Sequence, residues 1–154
     1  MKKHIFFSSC DELTIKLGMI VGSLCFSGCL IYLNGHIGSG KTTFCRGLLY
    51  ALGYVGVVKS PTYTLIELYE IKCWIVYHFD LYRIKNIKEL EYMAVRDYFN
   101  GNAICLVEWA SHGVGFLPVS DIVVTFYYLN SGRQIILESS SINGGKILTK
   151  LLSL

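Results

Sequence analysis

Residues 35 to 42 run Gly35-His36-Ile37-Gly38-Ser39-Gly40-Lys41-Thr42. This is the spacing G-x-x-x-x-G-K-[ST], in which backbone amides, one ammonium and one hydroxyl converge on a polyphosphate. Without a Cβ, Gly35, Gly38 and Gly40 let successive N–H groups turn inward around Ser39, and the helix that follows adds its positive end to the same hollow. Lys41 is placed to reach the β- and γ-phosphates, and the Thr42 hydroxyl to ligate Mg²⁺. Thr43 offers a second hydroxyl that can cap the helix or face the nucleotide. The guest expected from these residues is a nucleoside triphosphate. A Gly-rich turn that merely caps a helix is disfavoured by the full motif and its setting.

Chemistry on a Mg²⁺-bound triphosphate needs carboxylates near the loop, to hold the metal's water shell or to orient the attacking water. Glu108 closes the apolar run Ile104-Cys105-Leu106-Val107, and Asp80 closes Trp74-Ile75-Val76-Tyr77-His78-Phe79. In open α/β sheets, ligands gather at the carboxyl ends of strands, so both acids are candidates for a catalytic metal site. The plainer readings are a surface Glu ending a strand and an Asp capping the next segment. His78 reads as a packed histidine and is assigned no chemistry. Arg83 can pair with phosphate or with a Glu, and Trp109 can wall the site or pack in the core. Ser60, Thr62 and Thr64 lie where a nucleotide-sensing loop would be, although a plain turn explains them equally well.

The elements that must hold these groups follow from hydrophobic spacing. Cys29 to Asn34 is a continuous buried-strand run, and Thr43 to Leu52 carries Phe44, Leu48, Leu49 and Leu52 at helical spacing. Leu13, Leu17, Ile20, Val21 and Leu24 predict an amphipathic helix from Asp11, capped by Ser9 or Asp11 and packed on that strand. Gly53 to Val58 predicts a turn into Lys59-Ser60-Pro61-Thr62, whose Pro and hydroxyls mark an exposed connection. Tyr63 to Ile71 and Trp74 to Phe79 predict an antiparallel hairpin. Ile87 to Phe99 fits one or two short helices, and Ala103 to Val107 a second buried strand. A C-terminal hairpin follows from Asp121 to Tyr128 and Arg133 to Ser139, and a small helix from Ile147 to Leu152. No repeat or linker interrupts the chain, so residues 1–154 are expected to form one domain. The fold class is α/β: a P-loop NTPase-like three-layer sandwich whose central, mainly parallel sheet carries antiparallel hairpin strands.

The 154 residues carry a formal charge of +3, with no run of Lys or Arg beyond Lys2-Lys3, which is too mild to argue for a nucleic-acid surface. Six cysteines, at 10, 25, 29, 45, 73 and 105, show no C-x-x-C spacing and no paired His, so they read as reduced core residues of a cytoplasmic protein. Between Leu17 and Gly40 there is no Asp, Glu, Lys or Arg and His36 is the one basic side chain, over a length that would span a bilayer. Gly22, Ser23, Ser27, Gly28, Asn34 and the loop itself favour a helix, a turn and a strand instead.

The segments Gly35 to Thr43, Lys59-Ser60-Pro61-Thr62-Tyr63-Thr64-Leu65, His78-Phe79-Asp80-Leu81-Tyr82-Arg83 and Leu106-Val107-Glu108-Trp109 closely resemble, in order and in spacing, the TsaE (YjeE) family of bacterial ATPases. The resemblance covers roughly residues 8 to 139. It implies an ATPase, with Mg²⁺, that supports formation of threonylcarbamoyladenosine beside the anticodon of tRNAs reading codons that begin with A. In that family the protein joins the TsaD–TsaB pair and meets tRNA only through the complex. Its ATP cycle is needed for repeated turnover, while TsaD performs the transfer. By resemblance, Lys41 and Thr42 match the phosphate and Mg²⁺ contacts, Thr43 a nearby hydroxyl, and Asp80 and Glu108 the essential acids, Glu108 with a metal role. Ser60 to Thr64 matches a loop responsive to nucleotide and partner, and Trp109 a site-adjacent aromatic. His36-Ile37 stands where the family commonly has Asp-Leu; these positions contribute mainly backbone.

Two other functions compete. A small-molecule kinase of the same loop class would bring an Arg-rich lid, yet Arg46, Arg83, Arg96 and Arg133 are scattered. A nucleotide-gated binding module would use slow hydrolysis only to time association. A GTPase is disfavoured by the absence of Asn-Lys-x-Asp and Asp-x-x-Gly strings.

Overall fold

The computed structural model describes residues 1–154. Seven strands form one sheet: β1 (Lys3–Ser8), β2 (Leu30–Asn34), β3 (Ile66–Ile71), β4 (Trp74–Asp80), β5 (Ile104–Glu108), β6 (Ile122–Leu129) and β7 (Gly132–Ser139). The order across the sheet is β1-β7-β6-β2-β5-β4-β3. Strands β6, β2, β5 and β4 run parallel, while β1-β7, β7-β6 and β4-β3 are antiparallel. Parallel and antiparallel pairings are therefore equal in number, and the parallel ones are confined to the centre. Both expected hairpins are present.

Four helices complete the chain: α1 (Asp11–Leu24), α2 (Lys41–Leu52), α3 (Lys88–Tyr92) and α4 (Ile142–Leu152), with short 3-10 turns at Val95–Tyr98 and Ala110–Gly113. One core, with Leu17, Val21, Phe44, Leu48, Ile31, Val124 and Leu148, lies between α1, α2, α4 and one sheet face. A second, with Phe79, Leu81, Leu90, Val95, Val107 and Phe116, fills the opposite face beneath the shorter elements. Strand β5 is buried at every position, which is why Ile104 to Val107 reads as continuous rather than alternating apolar sequence. Each fully buried Leu, Val or Phe contributes roughly 1.5–3 kcal/mol.

Helix α1 packs chiefly on α2 rather than on β2, and glycine makes this possible. A Cβ on Gly18 would lie 2.2 Å from the Phe44 carbonyl oxygen, one on Gly22 2.6 Å from that of Leu48, and one on Gly47 2.0 Å from that of Ile15. The backbones of α1 and of the loop helix thus touch directly. The apolar stretch from Leu17 onward is divided into the end of α1, a turn, β2 and the loop, and no helix is long and apolar enough to cross a membrane.

Several boundaries differ from the sequence expectation. Helix α1 has Cys10 rather than Ser9 or Asp11 at its N-cap, without a side-chain cap, and Asp11, its first helical residue, is engaged by the Arg133 guanidinium at 2.9 Å. Strand β3 begins at Ile66 rather than Tyr63: Leu65 adopts φ 68°, and its N–H bonds the Pro61 carbonyl at 2.8 Å, so the chain turns there. Helix α4 begins five residues earlier than Ile147, capped by Ser141, which accepts from the Gly144 N–H. Its Gly144-Gly145 pair hid the periodicity, although Gly144 is where the helix meets the backbone of Asp121. Hydrophobic spacing does not predict strand β1. Its apolar Ile5 and Phe7 lie on the exposed face, the reverse of the usual pattern. Only Cys29, Cys45 and Cys105 are buried; Cys10 and Cys73 are exposed and Cys25 is half-buried.

Candidate functional site

Strand β2 ends at Asn34 and α2 begins at Lys41, so the loop between them lies at the carboxyl edge of the parallel strands. Register fixes the rest of that edge. Glu108 pairs with Leu33 on one side and with Asp80 on the other, which sets both acids at the height of the loop. A cleft of about 110 Å³ opens there, bounded by Gly38, Gly40, Lys41, Thr42 and Thr43 of the loop and helix. Ser60, Thr62, Asp80, Glu108 and Trp109 complete its walls.

Within the loop, Gly38 (φ 77°) and Gly40 (φ 113°) occupy the left-handed region that favours glycine. The Lys41 ammonium donates to the carbonyls of Gly35 and His36 at 2.5 and 2.9 Å. Burial lowers its pKa, against the opposing pull of Glu108 and Asp80. Gly35 and Ser39 are not on the cleft wall. Gly35 borders a neighbouring cavity of about 350 Å³ that also touches His36, Trp109 and Thr125. Ser39 Oγ is buried without a partner, 2.6 Å from where a Gly35 Cβ would stand, so these two residues shape the loop from behind.

Asp80 is held from two directions: Oδ1 accepts the Tyr82 N–H at 2.9 Å and Oδ2 accepts the Thr62 hydroxyl at 3.0 Å. Burial raises its pKa; Tyr82 and Thr62 oppose the rise and nearby Glu108 adds to it. Glu108 is only 2% exposed, and its Oε1 has no hydrogen-bond partner. Ser60 joins Thr62 at 2.8 Å, so a hydroxyl chain runs from the loop to Asp80. Thr64 is not part of it, since its hydroxyl turns outward to Glu67 at 2.9 Å.

Trp109 walls the cleft, half-buried, with φ 57°, a conformation that costs a non-glycine residue on the order of 1–3 kcal/mol. Its ring lies 5.4 Å from Lys41 Nζ and packs against Tyr82 and His112. Arg83 stacks on Tyr63, 4.3 Å from the ring centre, and forms no ion pair with a Glu. Sequence reasoning missed Arg133, whose guanidinium abuts Gly40 while binding Asp11 and Thr14. It also missed Tyr128, whose hydroxyl donates to the Ile37 carbonyl at 3.2 Å. No local pattern marks either one, because each reaches the loop from the distant C-terminal hairpin.

The family model described as "Threonylcarbamoyl adenosine biosynthesis protein TsaE" matches residues 8–135, a span that contains every residue of the cleft. The chain belongs to the TsaE family. It is 49% identical over 120 residues to the tRNA threonylcarbamoyladenosine biosynthesis protein TsaE of Haemophilus influenzae, covering 78% of this chain and 76% of that protein. The TsaE protein of Bacillus subtilis is 37% identical over 99 residues, 64% of this chain and 61% of its own length. Among solved structures, Bacillus subtilis YdiB superposes with a TM-score of 0.83 at 25% identity, covering 99% of this chain and 95% of that one. The family resemblance carried by the four sequence motifs is thereby established.

Proposed function

We propose that this TsaE-family chain is an ATPase of the P-loop class that serves tRNA threonylcarbamoyladenosine formation in the cytoplasm, acting on a TsaD–TsaB complex. The observation that carries the reading is the facing pair Asp80 and Glu108, buried at adjacent strand ends in the same cleft as Lys41. Helices on both faces of a sheet with a parallel centre support the three-layer P-loop architecture. The relatives' names support the tRNA-modification role.

On this reading Lys41 exchanges its carbonyl partners for the β- and γ-phosphate oxygens, and the amides from Gly38 to Thr43 add fixed dipoles. Mg²⁺ fits the residues present: the Thr42 hydroxyl and the Glu108 carboxylate line one cleft, the oxygen chemistry that this ion takes. When bound it would neutralise charge on the transferring phosphoryl group. Asp80 has both oxygens engaged within the protein, whereas Glu108 lines the same cleft without both of its oxygens so committed, which favours Glu108 to orient the attacking water. Water adds to the γ-phosphorus as the bond to the ADP oxygen breaks, giving ADP and phosphate. Trp109 shields that end of the cleft.

A kinase is less well supported, since Arg83 and Arg96 lie over Tyr63 and Phe116 and Arg133 is paired with Asp11, leaving no cluster to form a lid. A nucleotide-gated module has one specific support, the Ser60-Thr62-Asp80 chain, which links the loop to the cleft. Pull-down with TsaD and TsaB, with and without ATP, alongside phosphate release, tests the proposal. The expected result is ATP-dependent assembly with turnover raised by the partners. Assembly indifferent to nucleotide, or phosphorylation of a metabolite without partners, would refute it.

A further inference from the structure

Beneath the cleft floor, His78 of β4 is completely buried between α2 and β5. Its Nε2 lies 3.7 Å from Cys45 Sγ and 3.8 Å from Glu108 Oε1. Both Glu108 Oε1 and His78 Nδ1 are buried without a hydrogen-bond partner. Buried polar groups are rarely left unpaired. The observed 3.8 Å separation of Nε2 and Oε1 exceeds hydrogen-bonding distance by less than about 1 Å.

We infer that His78 is a positioning residue: its Nε2 holds Glu108 Oε1 from below, so that the other carboxylate oxygen faces the cleft. Cys45 flanks the imidazole from the loop helix and fixes its place, which ties the Glu108 carboxylate to the same helix that carries Lys41 and Thr42. This inference rests on the ATPase reading for its catalytic consequence, but the placement of Glu108 does not.

The test compares two polar replacements. His78→Gln sets an amide near the position of Nε2, whereas His78→Asn is polar but too short to reach Glu108. In His78→Asn, kcat for ATP falls at least tenfold while KM for ATP and the affinity for a non-hydrolysable analogue stay within twofold; His78→Gln keeps a third or more of wild-type kcat. Without nucleotide, the ¹³C carboxyl resonance of Glu108, assigned through Glu108→Gln, moves in His78→Asn and stays in His78→Gln. Equal kcat in the two variants, or an unmoved resonance in both, overturns the inference. Lack of turnover in the wild-type chain with its partners would instead reject the ATPase reading, and the resonance still decides the placement. Should His78→Asn not fold, Cys45→Ala replaces it, with a displaced Glu108 resonance expected and an unchanged one overturning the proposal.

Discussion

The Lys41 ammonium lies 5.4 Å from the centre of the Trp109 ring while its protons are spent on the carbonyls of its own loop. A cation so close to an indole perturbs its emission, and packing against Tyr82 and His112 holds the ring there despite an unfavourable backbone conformation. Movement of Lys41 toward phosphate should therefore be visible in Trp109.

Titration with ATP and Mg²⁺ is expected to change Trp109 fluorescence saturably, and Lys41→Ala to abolish both the change and the heat of binding. The second tryptophan, Trp74, lies at the start of β4, away from the cleft, so Trp74→Phe isolates the signal. Near-normal affinity in Lys41→Ala would remove the loop lysine from the binding scheme.

Glu108→Ala should slow hydrolysis by roughly 100-fold or more, the scale for removal of a general base or metal-positioning group, with a smaller effect on ATP affinity. Single-turnover kinetics with calorimetry separates the two. Retained turnover would transfer the role to Asp80.

Asp80 is expected to make the stability of the chain depend on pH. Burial raises its folded pKa above the ordinary value of 3.8, so the folded chain binds more protons between the two values. Its contribution to stability is therefore complete below the unfolded pKa and is lost as pH rises through the folded one. Asp80→Asn can keep the Tyr82 and Thr62 contacts without the charge. It is expected to be more stable than wild type at pH 7 in urea unfolding, and the difference should shrink on acidification. A variant less stable than wild type at pH 7 would show that the carboxylate's hydrogen bonds outweigh its burial.

Gly47→Ala probes the contact between α1 and the loop helix. Alanine favours an isolated helix by about 1 kcal/mol, but here its Cβ would meet the Ile15 carbonyl oxygen at 2.0 Å. A net loss of about 1–3 kcal/mol is expected from forcing the backbones apart. Chemical denaturation measures it, and unchanged or increased stability would contradict the close crossing.

Local sequence determined much of this protein. The glycines and Lys41 specify the loop, because amide direction and φ depend on a few adjacent residues. Apolar runs specify β2, β4 and β5, and with them the strand ends that carry Asp80 and Glu108. The N-terminal strand was not legible, since Ile5 and Phe7 face outward against the expected alternation. Nor was the partnership of Cys45, His78 and Glu108, which come from three separate elements and meet only once α2 lies on the sheet. The same holds for Thr62 reaching Asp80 while Thr64 turns away, and for Arg133 arriving at Gly40. Periodicity reports which face of an element is apolar. Which polar groups share a buried space depends on strand register and helix crossing, and these are fixed by the packing of the whole chain.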